Sequence, residues 1–260
     1  MNPDLKKNFR PVTPYTPGEK PESKDIIKLN TNENPYPPSP SVVNAFREVS
    51  PDTFRLYPDT DSTIIINAAA KCYGLKENRI LAANGSDDAL ALCFMALFNS
   101  KKPVLFPDIT YSFFPVWCTL FDIPYKTMPL NAEFKITPRD YTIDNGGIIL
   151  ANPNAPTGIS LPKKDIRIIL ENNPDVAVIL DEAYVDFGGD SVTGMINEYD
   201  NLVVVHTFSK YRSLAGMRIG LVMAHHELID YLTAIKNSYN TYPLDRAAQA
   251  VAAAALADNK

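Results

Sequence analysis

Cysteine, histidine and tryptophan are scarce: the 260 residues hold three, three and one of them. Cys72, Cys93 and Cys118 are odd in number and none sits in a C-x-x-C pair, so neither a disulfide framework nor a thiolate zinc site is expected. A reducing cytoplasm suits such a chain. Three histidines are too few for a His-rich metal centre, and His225 and His226, which open a helix-like stretch, read as surface residues; no metal is expected. Positive charge is not in excess either. Lys and Arg number 25 against 30 Asp and Glu, the net charge is -5 and the pI about 5.3, with basic residues scattered, which speaks against a nucleic-acid partner. Long apolar runs are missing too. The longest, residues 89–98, cannot span a bilayer, and the polar residues 1–11 do not form a signal peptide, so no membrane association is expected.

Proline, by contrast, is plentiful at 22 residues. Many fall in residues 1–40, in Pro11-Val-Thr-Pro14-Tyr15-Thr-Pro17 and Asn34-Pro-Tyr-Pro-Pro-Ser-Pro40. Proline fixes φ and removes a donor, so this segment reads as an extended arm. Its aromatic residues and Ile26-Ile-Lys-Leu29 favour docking on another surface over a disordered tail.

Beyond residue 61 the chain alternates between two patterns. Helices are expected over residues 62–72, 86–98, 112–120, 162–172, 227–237 and 244–258, and strands over 79–83, 103–106, 147–151, 176–180, 202–205 and 219–223. Continuous apolar strands separated by helices imply a three-layer α/β architecture with a mostly parallel sheet flanked by helices. Ligands of such sheets bind beyond the carboxyl ends of the strands.

Chemistry-bearing residues gather at that edge. Thr207, Ser209, Lys210 and Arg218 follow the strand ending at Val205. Two hydroxyls and a guanidinium suit a phosphate, and an amine suits an aldehyde, with which it forms an imine; Lys210 and Arg218 could equally be solvated cations. Asp181, after the run ending at Leu180, is costly to bury unless a cation meets it; a pyridinium nitrogen would do so, and a helix cap or salt bridge is the plainer alternative. Tyr184, three residues on, could reach a ring oxygen. In Asn84-Gly-Ser-Asp-Asp88 a turn enters a helix, directing the N–H groups of Ser86 and Asp87 outward; Ser86 also suits a helix cap. Tyr111 offers an aromatic face for stacking, or a core residue.

The order of Asn-Gly-Ser-Asp, Thr110-Tyr111, Asn152-Pro-Asn-Ala-Pro-Thr-Gly158, Asp181-Glu-Ala-Tyr184 and Thr207-Phe-Ser-Lys210, with Arg218 eight residues beyond the lysine, resembles the fold-type I pyridoxal-phosphate aminotransferases. Within them, Leu29-Asn-Thr-Asn-Glu-Asn-Pro-Tyr-Pro, Arg55-Leu-Tyr-Pro-Asp and Asp181-Glu-Ala-Tyr-Val-Asp-Phe187 look most like the histidinol-phosphate aminotransferases. The resemblance covers residues 30–257 and implies pyridoxal 5'-phosphate as cofactor, a small-molecule amino donor and a 2-oxo acid acceptor. It makes Lys210 the Schiff-base lysine, Asp181 the partner of the pyridine nitrogen and Tyr184 the donor to the ring hydroxyl. Tyr111 stacks on the ring, and Ser86, Asp87, Thr207, Ser209 and Arg218 bind the phosphate. Tyr57 reaches the cofactor of the other subunit, which implies a homodimer, and Tyr15, Asn32 and Glu33 lie near the substrate.

Many relatives carry Asn where this chain has Ala155, so Asn154 is the candidate to bond the ring hydroxyl. The resemblance also divides the chain into an arm, residues 1–40, belonging to a small domain, and a cofactor-binding large domain, residues 41–260. The family's C-terminal small-domain segment, with its substrate-clamping arginine, is missing from the chain, which reads as a fragment. Lys210 has to lose its proton near neutral pH, and cationic surroundings are expected to depress its pKa. Two alternatives accompany amino transfer: a decarboxylase of the threonine-phosphate type, and a cofactor-binding, dimerising module without turnover.

Overall fold

The computed structural model describes residues 2–19 and 25–258. Met1, at the head of the polar start, and Lys260, the last residue of the expected large domain, lie outside them. Helices run over Pro3–Lys6 (α1), Pro40–Arg47 (α2), Thr63–Tyr73 (α3), Gly85–Leu97 (α4), Phe114–Leu120 (α5), Lys163–Glu171 (α6), His226–Tyr239 (α7) and Arg246–Ala257 (α8). Strands occupy Ile80–Ala83 (β1), Val104–Pro107 (β2), Tyr125–Met128 (β3), Gly147–Ala151 (β4), Val178–Asp181 (β5), Leu202–Thr207 (β6) and Gly220–Ala224 (β7).

Seven strands form one sheet in the order β1-β7-β6-β5-β4-β2-β3. Pairing is parallel from β6 across to β3, and β7 runs antiparallel to both β6 and β1. The mostly parallel α/β sheet expected from the sequence is therefore present. Its central strands are buried on both faces because successive side chains alternate between them. Val178 and Leu180 of β5, with Leu202 and Val204 of β6, enter one apolar cluster, with α3, α6 and α8. Ile179, Val203 and Val205 enter the other, with α4, α5 and α7. Burying each such side chain contributes on the order of 1.5–3 kcal/mol, so these two strands are among the most firmly held in the molecule.

Three elements were not anticipated. The short α1 lies within the segment expected to be extended. β3, an edge strand, has three exposed residues of its four and so lacks the apolar run that marked the others. α2 begins inside the proline-rich stretch with Pro40 in its first turn, where a missing N–H costs nothing. The remaining arm is largely extended, and it is docked at a few points. The Tyr15 ring stacks on Phe113 at 4.8 Å, Arg10 donates to the Leu120 carbonyl and Asn34 Nδ2 donates to the Lys210 carbonyl at 3.1 Å. Among the described residues no helix is long and apolar enough to cross a membrane.

Candidate active site

Parallel pairing brings the carboxyl ends of β4, β5 and β6 to one edge, where Asp181 lies opposite Ala151 on one side and Val205 on the other. Asp181 is the last residue of β5, not the first beyond it, and only 6% exposed. Oδ1 accepts from the Ala183 N–H at 3.2 Å. Burial pushes its pKa up to about 7; Asp87 and Glu182 act the same way, the Ala183 N–H and His206 the opposite way. A carboxyl so placed gains much from a cation brought against it.

Thr207 closes β6, and its Oγ1 donates to Ser209 Oγ at 3.0 Å while accepting from the Ser209 N–H at 3.2 Å. Arg218 lies next to them in the left-handed region, φ 51°, where a non-glycine residue is uncommon and strained. That conformation places its guanidinium where Nη1 donates to Ser209 Oγ and Nη2 to Asp87 Oδ2, each at 3.4 Å. Asp87 also accepts from the Tyr111 hydroxyl at 3.0 Å. Tyr111 belongs to an aromatic group with Phe113, Phe114 and Trp117, and burial raises its pKa.

α4 points its amino end at this cluster, and its first turn leaves N–H groups without intrahelical partners. The helix starts at Gly85, so Ser86 is not its cap. Asn84 holds that place, and its side chain donates to the Pro243 carbonyl at 2.6 Å instead of capping. Two glycines make the approach possible. A Cβ on Gly220 would stand 2.5 Å from the Gly85 carbonyl carbon and 2.7 Å from the Ser86 nitrogen, and one on Gly85 would stand 2.5 Å from Arg218 Nη2. Gly85 belonged to the turn singled out in the sequence, but Gly220 did not stand out, since only the β1–β7 pairing brings the two together.

Lys210 extends towards the arm: Nζ donates to the Thr31 carbonyl at 2.7 Å and lies 5.7 Å from the centre of the Tyr184 ring. Its pKa is lowered, mainly by burial. Arg218 contributes in the same direction, against Asp87, Glu33 and Asp181. Desolvation, not the expected cationic surroundings, is thus the larger cause. The Tyr184 hydroxyl accepts from Asn32 Nδ2 at 2.9 Å, and Glu33, at the protein surface, pairs with Lys28 at 2.7 Å, which lowers its pKa. Asn154 is buried, but its amide is engaged locally: Oδ1 accepts from Thr110 at 2.7 Å and Nδ2 donates to the Ile109 carbonyl at 2.9 Å. Tyr57 is not part of the cluster. It is 76% exposed and stacks on Tyr242 at 4.6 Å, while its carbonyl accepts from Arg246.

These groups fit pyridoxal phosphate. Asp181 is a buried carboxyl in want of a cation, Lys210 a partly desolvated amine, and Ser209, Arg218 and the start of α4 form a set of donors fit for an anion. Among the described residues no group of three or more His, Cys, Asp or Glu is disposed to hold a metal ion.

The same assignment comes from comparison with known proteins. Residues 24–260 match the model of the aminotransferase class I and II family. Over 247 residues the chain is 52% identical to histidinol-phosphate aminotransferase 1 of Hydrogenovibrio crunogenus, covering 95% of this chain and 69% of that protein. The fold is shared with the histidinol-phosphate aminotransferase of Clostridium acetobutylicum, with a TM-score of 0.79, 22% identity and coverage of 88% of this chain and 69% of the other. It is also shared with the Sinorhizobium meliloti enzyme in complex with pyridoxal-5'-phosphate, with a TM-score of 0.77, 24% identity and coverage of 88% and 63%. With a family match over nearly its whole length and a relative at half identity, this chain belongs to the class I and II aminotransferases.

Proposed function

We propose that the chain is a pyridoxal-phosphate-dependent aminotransferase that moves the amino group of histidinol phosphate to 2-oxoglutarate. The observation that carries the reading is the convergence of a buried carboxyl, Asp181, a desolvated amine, Lys210, and an anion-binding set around Arg218 on one sheet edge. Identity of 52% to a histidinol-phosphate aminotransferase supports the choice of substrate.

Pyridoxal phosphate supplies an aldehyde carbon for attachment and a ring that draws electrons from the substrate. The chain's own residues bind and orient it and handle the proton. Asp181 would partner the ring nitrogen and favour its protonated form; the burial that makes the carboxylate costly alone would make that pair strong. Arg218, Ser209, Thr207, Ser86 and Asp87 would bind the phosphate. A guanidinium grips two oxygens at once, and the helix dipole of α4 favours negative charge at its start. Tyr111 would stack on the ring, Tyr184, oriented by Asn32, would donate to the ring hydroxyl, and Asn154 is the candidate to bond the same hydroxyl.

Lys210 would hold the cofactor and serve as the base. Its lowered pKa populates the neutral amine nearer to physiological pH than for a free lysine, so Nζ could take up and give back a proton at the substrate carbon. Kinetics are ping-pong, because one substrate leaves before the other binds. Tyr15, Asn32 and Glu33 contribute from the arm, residues 1–40, to the substrate side of the large domain that follows.

The functional unit is a homodimer in which Tyr57 reaches the phosphate of the other subunit's cofactor. Its exposed ring, presented outward by the hold of Arg246 on its carbonyl, is consistent with this role. Borohydride reduction in the presence of pyridoxal phosphate, followed by peptide mass analysis, should place the adduct on Lys210. Glutamate should form from histidinol phosphate and 2-oxoglutarate, with no carbon dioxide released from threonine phosphate. Carbon dioxide without glutamate would replace the reading with a decarboxylase.

A further inference from the structure

On the sheet face opposite Asp181 and Thr207 lies a second buried polar set. Glu182 follows β5, and its N–H donates to the Val205 carbonyl at 2.9 Å, which carries the ladder to β6 one residue past Asp181. Alternation turns the Glu182 side chain to the other face. There, with side-chain exposure of 0%, its carboxylate accepts from Ser191 Oγ at 2.6 Å and from the Val192 N–H at 2.8 Å, and it meets His206 Nε2 at 2.8 Å. His206 precedes Thr207 in β6; its Nδ1 is 3.1 Å from the hydroxyl of Tyr73, the last residue of α3.

The hydrogen positions follow from donor and acceptor capacity. An ionised carboxylate can only accept, so Nε2 carries a hydrogen. Burial pushes the Tyr73 hydroxyl up to about 12, so it keeps its proton and donates to Nδ1. A carboxylate and an imidazole are an expensive way to join two strands, since apolar residues of the same volume hold a core at least as well. What they add is a fixed charge adjoining Asp181, whose pKa already responds to both Glu182 and His206.

We propose that Glu182, held by His206, is a positioning residue of the cofactor site: the pair locks the ends of β5 and β6 so that Asp181 and Thr207 face the ligand together, and its negative charge favours a cation there. This rests on the cofactor reading given above. The charged and titratable groups around the pair are Tyr73 from α3, with Arg212, Cys72 and Asp186 beside it, and Asp181 from β5 on the other face.

Glu182→Gln removes the charge at nearly the same shape: the amide oxygen can still accept from the Val192 N–H, and its NH2 can donate to Ser191 Oγ and to His206 Nε2 once the imidazole hydrogen moves to Nδ1 and the Tyr73 hydroxyl accepts it. The readouts are the pH midpoint of the visible absorbance of cofactor bound at Lys210, the cofactor dissociation constant and Tm. Losing a negative charge disfavours the protonated chromophore, so the midpoint should fall, with affinity weakened about tenfold. A Tm loss with unchanged midpoint and affinity would reduce the pair to a structural clasp and overturn the proposal. Should that variant fail to fold, Tyr73→Phe removes the hydroxyl at Nδ1 that orients the imidazole towards Glu182 and so loosens the hold on Asp181. The midpoint should again fall, and an unmoved one overturns the proposal equally. A wild-type protein forming no borohydride adduct would instead sink the cofactor reading itself.

Discussion

The carboxyl edge of the sheet and the N-terminal arm both supply candidate site residues, but they are held by different means. At the edge, Asp181, Thr207 and Ser209 are each at most 8% exposed and sit on or beside strands buried on both faces. On the arm, Ile27 is 84% exposed, Leu29 77% and Tyr36 75%, and a handful of hydrogen bonds from Asn32, Asn34 and Lys210 locate the segment. Positions at the edge are fixed by backbone pairing and apolar burial, whereas those on the arm depend on a few polar contacts around the ligand site. Substitutions at the edge should therefore abolish chemistry or cofactor binding, and those on the arm should tune them.

Lys210→Ala gives the largest expected effect: no borohydride adduct and no measurable turnover, checked by mass analysis and the glutamate assay. An active Lys210→Ala protein would break the comparison outright. Asp181→Asn should lower turnover by about a hundredfold or more, since proton control at one group is commonly worth that much. It also has a pH signature. In the cofactor-free chain Asp181 has a folded pKa near 7, above the usual carboxylate range, so between about pH 4 and 7 the folded state binds more protons than the unfolded one. This group's contribution to stability thus falls as pH rises through that window, by up to a few kcal/mol. Cofactor, by pairing the carboxylate, should raise Tm more at pH 8 than at pH 5, and Asp181→Asn should flatten that difference.

Gly220→Ala tests the packing beneath the phosphate end. The added methyl must displace the Gly85–Ser86 backbone, so cofactor affinity should drop about tenfold with a loss of 1–3 kcal/mol in stability, read by titration and denaturation. Tyr57→Phe should weaken cofactor binding more modestly. Mixing it with Lys210→Ala subunits should restore activity, because one site of the mixed dimer then keeps both residues; absence of restoration would return Tyr57 to a surface role. Asn32→Ala, on the arm, should cost only a few-fold in turnover, as it removes a single exposed hydrogen bond to Tyr184.

Much of the edge was legible because doubly buried strands write unbroken apolar runs and place polar residues where those runs stop. Lys210, Asp181 and Arg218 were placed at the edge that way, although Asp181 and Thr207 proved to be the last residues of their strands, where Asp181 was expected one residue and Thr207 two residues past the strand end. What stayed hidden depends on contacts distant in sequence. The meeting of Gly85 with Gly220 arises from β1 lying beside β7, and the Glu182–His206 pair from β5 lying beside β6. β3 was missed because an exposed edge strand carries no apolar signature, and α2 because prolines that fit an extended arm also fit a helix's first turn. The cause of the lysine's lowered pKa was also out of reach, since burial is a property of the folded chain.

The reversal of β7 has one more implication. Because Thr207 pairs with Gly220, residues 208–219 form the loop of a hairpin, and both Lys210 and Arg218 ride on it. The proposed attachment point for one end of the ligand and the proposed grip on its other end are thus spaced by one short excursion of chain. Inserting one residue between them would leave every side chain present and yet change the spacing on which the proposed double hold depends.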